Sequence, residues 1–412
     1  MTQSAVQRRV VVTGLGCVTP IGSTVDAFRA ALYAGTTGIA PLPPYPEAPG
    51  PTLGLRFTHA ATVPDFDPTQ HLTSGVIAAT DRTAQFAIVA ARQAALESQF
   101  TQHYDSGDIA VILGCGDGGR ATVEAETAKL YTRDARVHPF TVTRTMASAG
   151  VSQVSIDLGI TGPVLAITTA CASANHAIGM AFHMIRSGMI QAAVAGGHEA
   201  PLSFGFLRAW DSIRVVSPTA CRPFSADRDG MTLGEGAAMF TLETLDSAQA
   251  RGATIYAEIV GFGMSADARH ITQPDPAGAA TAIRKALADA GLTPEDVDYI
   301  NAHGTGTQVN DTVEADALHQ VFGPRAARIP ITATKSLHGH SIGASGALEA
   351  LATILALNQP CLPATAGVTT IDPALDLDII TNHPRPATPQ IAISNSLAFG
   401  GLNAVLAFRR YN

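Results

Sequence analysis

Charge is scarce in this chain. Only 15% of its 412 residues are Asp, Glu, Lys or Arg, while 46% are hydrophobic, so a large core can be buried. The formal net charge is −8 and no block of lysine and arginine occurs, which disfavours a nucleic-acid partner, because phosphate neutralisation needs clustered cations. Arg29, Arg56, Arg82 and Arg208 are scattered candidates for contacts with an acidic protein, and the sequence does not group them. Long apolar runs are missing as well. None reaches the ~20 residues of a bilayer span, so no transmembrane helix is expected. The opening MTQSAVQRRVVVTGLG has too short an apolar run for a signal peptide and fits a first buried strand better. Cysteines number five, at 17, 115, 171, 221 and 361. An odd, dispersed set in a long chain argues against a disulfide framework and for reduced thiols in the cytoplasm. CxxC and HExxH spacings are absent, so a metal centre is not indicated.

What the chain does have is alternation. Apolar strand-like runs (RRVVVTGLG, DIAVILGCG, VLAITTA, AAVAGGHEA, AAMFTLE) alternate with alanine-rich helical stretches, and the pattern restarts at TIYAEIVGFGMSAD. This predicts an α/β protein with layered sheets in two similar halves, 1–252 and 253–412. VVVTGLG and AEIVGFG echo each other faintly across the halves. CASANHAIGMAFHMI and SIGASGALEALATILAL lack a polar face, so both helices are expected in a buried central layer. The Pro-rich tract at 41–54 reads as a loop.

The stretch TTACASANHAIGMAFHMI places Cys171 where an apolar strand run gives way to a small-residue helical run. Backbone N–H groups and the dipole at a helix start favour thiolate, making this sulfur a candidate acyl nucleophile. A buried structural cysteine is the plainer alternative. Two glycine-bearing turns downstream each follow a strand-like run: NAHGTGTQVND with His303, and KSLHGHSIGASGALEA with Lys335, His338 and His340. A lone histidine is more often structural than catalytic. One cysteine with two such turns makes the stronger case for chemistry.

These segments, with RPFSADRDGMTLGEGA and the terminal SNSLAFGGLNAVLAF, resemble the β-ketoacyl-[acyl-carrier-protein] synthases, the condensing enzymes of fatty acid and polyketide synthesis. The likeness runs almost end to end and is greatest to the elongating Cys-His-His synthases. It implies a thiolase-like fold of five layers, α-β-α-β-α. It also implies decarboxylative condensation of a Cys171-bound acyl chain with malonyl-ACP to give 3-oxoacyl-ACP and CO2. Substrates would ride on the phosphopantetheine of a separate acyl carrier protein, with no cofactor of the enzyme's own. By the same resemblance His303 and His340 stabilise the enolate, the N–H groups of Cys171 and Phe399 form an oxyanion hole, and Phe399 gates the extender. The resemblance further implies that Lys335 is buried near His303, that Glu314 and Glu349 are supporting acids and that Asp311 is structural. It implies that Thr305 and Thr307 bind the pantetheine arm, and that Asn301, Glu314, Glu349 and Ser394 match positions that enclose a structural ion in some members. A twofold dimer is implied, as a homodimer or with a chain-length-factor-like subunit. Asp117 departs from the family pattern, because an apolar acyl-pocket residue is expected there. A carboxylate would penalise a plain alkyl chain, which suggests a polyene-forming polyketide synthase rather than a housekeeping fatty acid elongation enzyme. A Cys-His thioesterase is disfavoured by the second histidine, and a non-catalytic chain-length partner by the intact Cys171.

Overall fold

The computed structural model describes residues 8–45, 54–133 and 135–412. Ten strands form one hydrogen-bonded sheet. In chain order they are β1 (Val10–Val18), β2 (Ile109–Gly114), β3 (Val164–Ile167), β4 (Ala192–Glu199), β5 (Gly236–Thr244), β6 (Ala257–Ala266), β7 (Tyr299–Asn301), β8 (Ile331–Thr332), β9 (Ile391–Ala398) and β10 (Leu402–Arg409). Their spatial order is β8-β7-β9-β10-β6-β1-β5-β4-β2-β3. Read outward from the middle, the first five strands run 1-5-4-2-3 and the last five run 6-10-9-7-8. The parallel and antiparallel pairings repeat in the same places. The halves join where Val10, Val11 and Val12 face Ile259, Glu258 and Ala257. The echoing motifs VVVTGLG and AEIVGFG thus sit on β1 and β6, equivalent strands in neighbouring positions.

Six helices complete the layers used below: α1 (Arg82–Ser98), α2 (Ser173–Arg186), α3 (Phe204–Ile213), α4 (Pro276–Asp289), α5 (Gln308–Phe322) and α6 (Ser345–Asn358). Helix α1 packs on β1, β4 and β5, and α4 packs on β6 and β10. Between the sheet halves lie α2 and α6, touching strands of both and each other. This is the thiolase-like α-β-α-β-α arrangement. Every residue from Ser345 to Leu357 is buried, as a helix without a polar face requires. The outer helices begin where side chains can take up orphan N–H groups: Asp81 accepts from Thr83, Asp275 from Ala277 ahead of Pro276, and Thr307 from Asn310. Of the Pro-rich tract, Pro41 pairs with His59 in a short two-residue strand, Leu42–Tyr45 has no regular structure, and 46–53 lie outside the described residues.

Candidate active site

Cys171 follows β3 by a tight turn in which Ala170 takes a left-handed φ of 50°, and α2 begins two residues later. The sulfur is therefore held at the helix tip, and the residue is only 6% exposed. Burial is the dominant influence on the thiol and pushes it up to about 11; Lys335 and the backbone amides of Phe399 and Cys171 pull the other way. The helix start does act on the sulfur, but desolvation outweighs it, so the resting group is a thiol rather than the thiolate expected from sequence. Both amides are directed at the sulfur.

His340 Nε2 lies 3.1 Å from Cys171 Sγ. Its ring packs edge-on to that of His303 at 5.6 Å between centroids. Ligand atoms of the three side chains all fall within 4.8 Å of one another. The tautomers follow from the donors behind the rings. The Ile342 N–H donates to His340 Nδ1 at 3.2 Å, and Lys335 Nζ donates to His303 Nδ1 at 3.2 Å. With Nδ1 accepting in each ring, the proton of the neutral imidazole resides on Nε2. Burial, reinforced by Lys335, holds both rings neutral, well below the ordinary histidine value. Two N–H donors therefore face one small volume beside the sulfur. That arrangement suits an anionic oxygen and opposes a metal ion, which needs nitrogen lone pairs. His338, in the same segment, points elsewhere: its ring contacts the Gly339 carbonyl and Thr334 Oγ1.

Lys335 is fully buried. It pairs with Glu349 and donates to the His303 carbonyl at 2.7 Å. Glu314 accepts from the N–H groups of His303 and Gly304, each at 2.8 Å, fixing the turn that presents His303. Asp311 accepts from Phe224 N–H at 2.8 Å and Gly306 N–H at 3.2 Å, tying that turn to the 224 region. Burial raises all three carboxyls, Glu349 to about 7 and Asp311 to about 6. Around this cluster Asn301 Oδ1, Glu349 Oε2, Ser394 Oγ and Asn395 Oδ1 are buried without a hydrogen-bond partner among the described residues.

A cavity of about 540 Å³ opens from the surface onto Cys171, His303 and His340, with Phe399, Thr305 and Thr307 in its walls. The two threonine hydroxyls are 2.9 Å apart. Phe399 precedes Gly400 and Gly401, both at left-handed φ (83° and 68°), which turn the chain back into β10. The sequence did not single out Trp210, the chain's one tryptophan. It sits on α3 and stacks on Phe399 at 5.8 Å and 18°. Rarity was its only signal. Asp117 is not in the lining of this cavity. It is exposed on the otherwise largely buried loop after β2, and partial desolvation beside that loop raises its carboxyl against the pull of Arg120. The four arginines considered from sequence do not gather at the mouth. Arg29, Arg56 and Arg82 pair with Asp26, Asp211 and Glu235, and Arg208 donates to the Gly54 carbonyl. Arg214 and His270 line the mouth instead, with Ile213, Ile271 and Val309 as exposed apolar neighbours.

A buried cysteine at a helix tip, opposed by two Nε2-protonated imidazoles from the other half of a thiolase-like fold, defines a condensing enzyme. The comparisons name the family. Residues 7–248 match the family model "Beta-ketoacyl synthase, N-terminal domain" and residues 256–369 match "Beta-ketoacyl synthase, C-terminal domain". The chain belongs to the β-ketoacyl synthase family and is an acyltransferase. It is 41% identical over 408 residues to Nodulation protein E of Rhizobium sp. (strain N33), covering 98% of this chain and 99% of that protein. It is also 41% identical over 415 residues to 3-oxoacyl-[acyl-carrier-protein] synthase 2 of Synechocystis sp., with the same coverage. Among solved structures, "The ishigamide ketosynthase/chain length factor" superposes with a TM-score of 0.93 at 35% identity, covering 98% of this chain and all of that one.

Proposed function

We infer that Cys171 carries the growing acyl chain and that His303 and His340 drive condensation by holding the extender's enolate. The Cys171 sulfur attacks the thioester carbonyl of acyl-ACP while the amides of Cys171 and Phe399 stabilise the tetrahedral oxyanion. The carrier's pantetheine thiol leaves with the sulfur's proton. Malonyl-ACP then enters from the mouth past Thr305 and Thr307, whose hydroxyls bind its pantetheine amides. Its carboxylate departs as CO2, and the electrons left on the thioester enolate are stabilised by the two Nε2–H donors. The enolate carbon attacks the acyl carbonyl, the C–S bond to Cys171 breaks, and the sulfur takes up a proton. Products are 3-oxoacyl-ACP, CO2 and free ACP. The observation that carries this reading is the pairing of the 3.1 Å His340–Cys171 contact with donors behind both imidazoles. Intact mass spectrometry with a panel of acyl-ACPs tests it. Cys171→Ala should take no acyl group, while His303→Ala and His340→Ala should acylate but decarboxylate malonyl-ACP about 10²–10³-fold more slowly each. An acyl adduct on Cys171→Ala, or full decarboxylation without both histidines, would defeat it.

Four finer readings go with it. The two halves divide at 252/253, supported by the repeated strand order. The unpartnered oxygens of Asn301, Glu349, Ser394 and Asn395 suit a monovalent or divalent cation beside Glu314, which would steady the Lys335 turn. A fall in thermal midpoint when K⁺ or Mg²⁺ is replaced by tetramethylammonium at equal ionic strength is expected, and an unchanged midpoint would remove the cation. The third reading is that the acyl chain extends from Cys171 past the loop that begins at Cys115, beyond the cavity described above, whose lining does not include Asp117. Asp117 on that loop would favour an unsaturated or oxygenated chain over a plain alkyl one, as in polyene or polyketide assembly; the alternative is fatty acid elongation. Asp117→Ile should shift the acyl-ACP preference toward saturated chains, and an unchanged preference would remove the argument. Finally, the chain works in the cytoplasm as a dimer, with itself or with a chain-length-factor-like subunit. Among the described residues, nine of the fifteen exposed large hydrophobic ones fall in the stretch from Val123 to Leu165 and support such an interface.

A further inference from the structure

Glu199, the last residue of β4, is fully buried and takes no part in the chemistry above. Its carboxylate is the meeting point of two separate loops. Oε2 accepts the N–H of Gly116 at 2.5 Å and that of Gly343 at 3.1 Å, and Oε1 accepts the N–H of Asp117 at 3.2 Å. The site is shaped for this. A Cβ on Gly116 would come within 2.8 Å of Oε2, and one on Gly343 within 2.7 Å of Oε2 and 2.3 Å of the Gly116 nitrogen. Only glycine lets both amides approach one oxygen.

Beside Gly343 stands the backbone outlier of the active-site turn. Ile342 has φ of 43°, a left-handed conformation rare for a β-branched residue, and it is buried. Such strain persists only where the surroundings impose it. From that conformation the Ile342 N–H reaches back to His340 Nδ1, the contact that leaves the proton on Nε2 facing Cys171. Ser345 Oγ, 2.8 Å from the same Nδ1, accepts or donates and so does not fix the tautomer alone.

We propose that Glu199 is a positioning residue for His340: by gripping Gly343 and the 116–117 amides in one carboxylate, it holds Ile342 in its left-handed turn and thereby sets the His340 tautomer. The inference rests on the condensation reading for its consequence in catalysis, though not for its test. The ionised form of Glu199 is the one that accepts three N–H groups. Burial pushes this carboxyl up to about 8, with Asp117 raising it further and the Gly116 and Asp117 amides opposing. The titratable groups facing it are Asp117 and Cys115, and the Cys115 thiol is itself pushed far up. Grip therefore strengthens as pH rises through about 8 and loosens below it.

The test is ¹H–¹⁵N NMR of the imidazoles in the full chain without substrate, over pH 7–9.5. In the wild type His340 should move toward a single Nε2–H tautomer as pH rises, while staying neutral. In Glu199→Gln, whose amide places a donor among donors, it should show mixed tautomers at every pH. Malonyl-ACP decarboxylation by that variant should fall about 10²-fold and lose its rise near pH 8, the scale expected of a misplaced catalytic group. Acylation of Cys171 and the thermal midpoint should be retained. A His340 tautomer that does not change across this pH range in the wild type would overturn the proposal, even if Glu199→Gln does not fold. So would a Glu199→Gln protein with wild-type tautomer and decarboxylation. A tautomer that shifts as expected in a protein that decarboxylates nothing would instead refute the condensation reading and leave Glu199's role intact.

Discussion

At the scale of single residues, the deciding contest is over the Cys171 proton. Helix-tip amides and Lys335 favour the anion, yet desolvation sets the outcome, with the thiol near 11. Below that value each pH unit raises the thiolate fraction about tenfold, so alkylation of Cys171 by iodoacetamide should climb about tenfold per unit from pH 7 to 10. A plateau below pH 9 would mean that the amides win. Removing the cation works in a known direction: Lys335→Met should raise the thiol further and slow alkylation at pH 8, and an unchanged rate would show that Lys335 does not act on the sulfur. Sequence exposed half of this contest. A cysteine between a strand run and a small-residue run announces a helix tip, whereas the degree of burial depends on His340 and Phe399 arriving from more than 150 residues away, which no local pattern encodes.

Elements carry the next level of the argument. Each side chain proposed for the chemistry stands at a junction between elements: Cys171 before α2, His303 between β7 and α5, His340 ahead of α6, and Phe399 in the turn between β9 and β10. Glycine-rich turns after apolar runs are legible in sequence, and so were these four positions. The two central helices were legible for the same reason, having no polar face. Cross-element pairs were not. Trp210 reaches Phe399 because α3 crosses the mouth of the cavity, and nothing near position 210 signals it. That stack has a measurable consequence. If Phe399 moves aside when an acyl chain occupies Cys171, the only tryptophan loses its stacked neighbour and keeps only the tilted ring of Phe206 at 6.0 Å. Acylation should then shift the emission of the wild type and leave that of Cys171→Ala unchanged. Identical spectra before and after loading would show that Phe399 stays in place and does not gate.

The whole molecule is lopsided in one respect. Its sheet has two edges, and they are treated differently. At one end β8 is buried, with Ile331 also bonded to Asp378 and Ile380. At the other, β3 is half exposed, and Leu165 is 44% exposed on it. An open apolar edge is a liability that proteins cover, shorten or charge, and β3 carries no charged residue. The neighbouring helix Ala149–Leu158 adds Ile156, 72% exposed. That helix packs against β3, and the exposed apolar residues from Val123 to Met146 precede both in sequence. Pairing of β3 with the equivalent strand of a second subunit would satisfy its free N–H and C=O groups and bury that edge. In an isologous pair one substitution acts twice, so Leu165→Lys brings two cations together at the centre. Association measured by light scattering and sedimentation should weaken by at least about tenfold, the scale of losing a central interface residue. Lys is also compatible with the monomer, since Leu165 faces solvent there, so the thermal midpoint of the isolated subunit should hold. A variant that remains a dimer at the same concentration would place the interface elsewhere. Leu165 then becomes an uncovered edge that must be protected some other way.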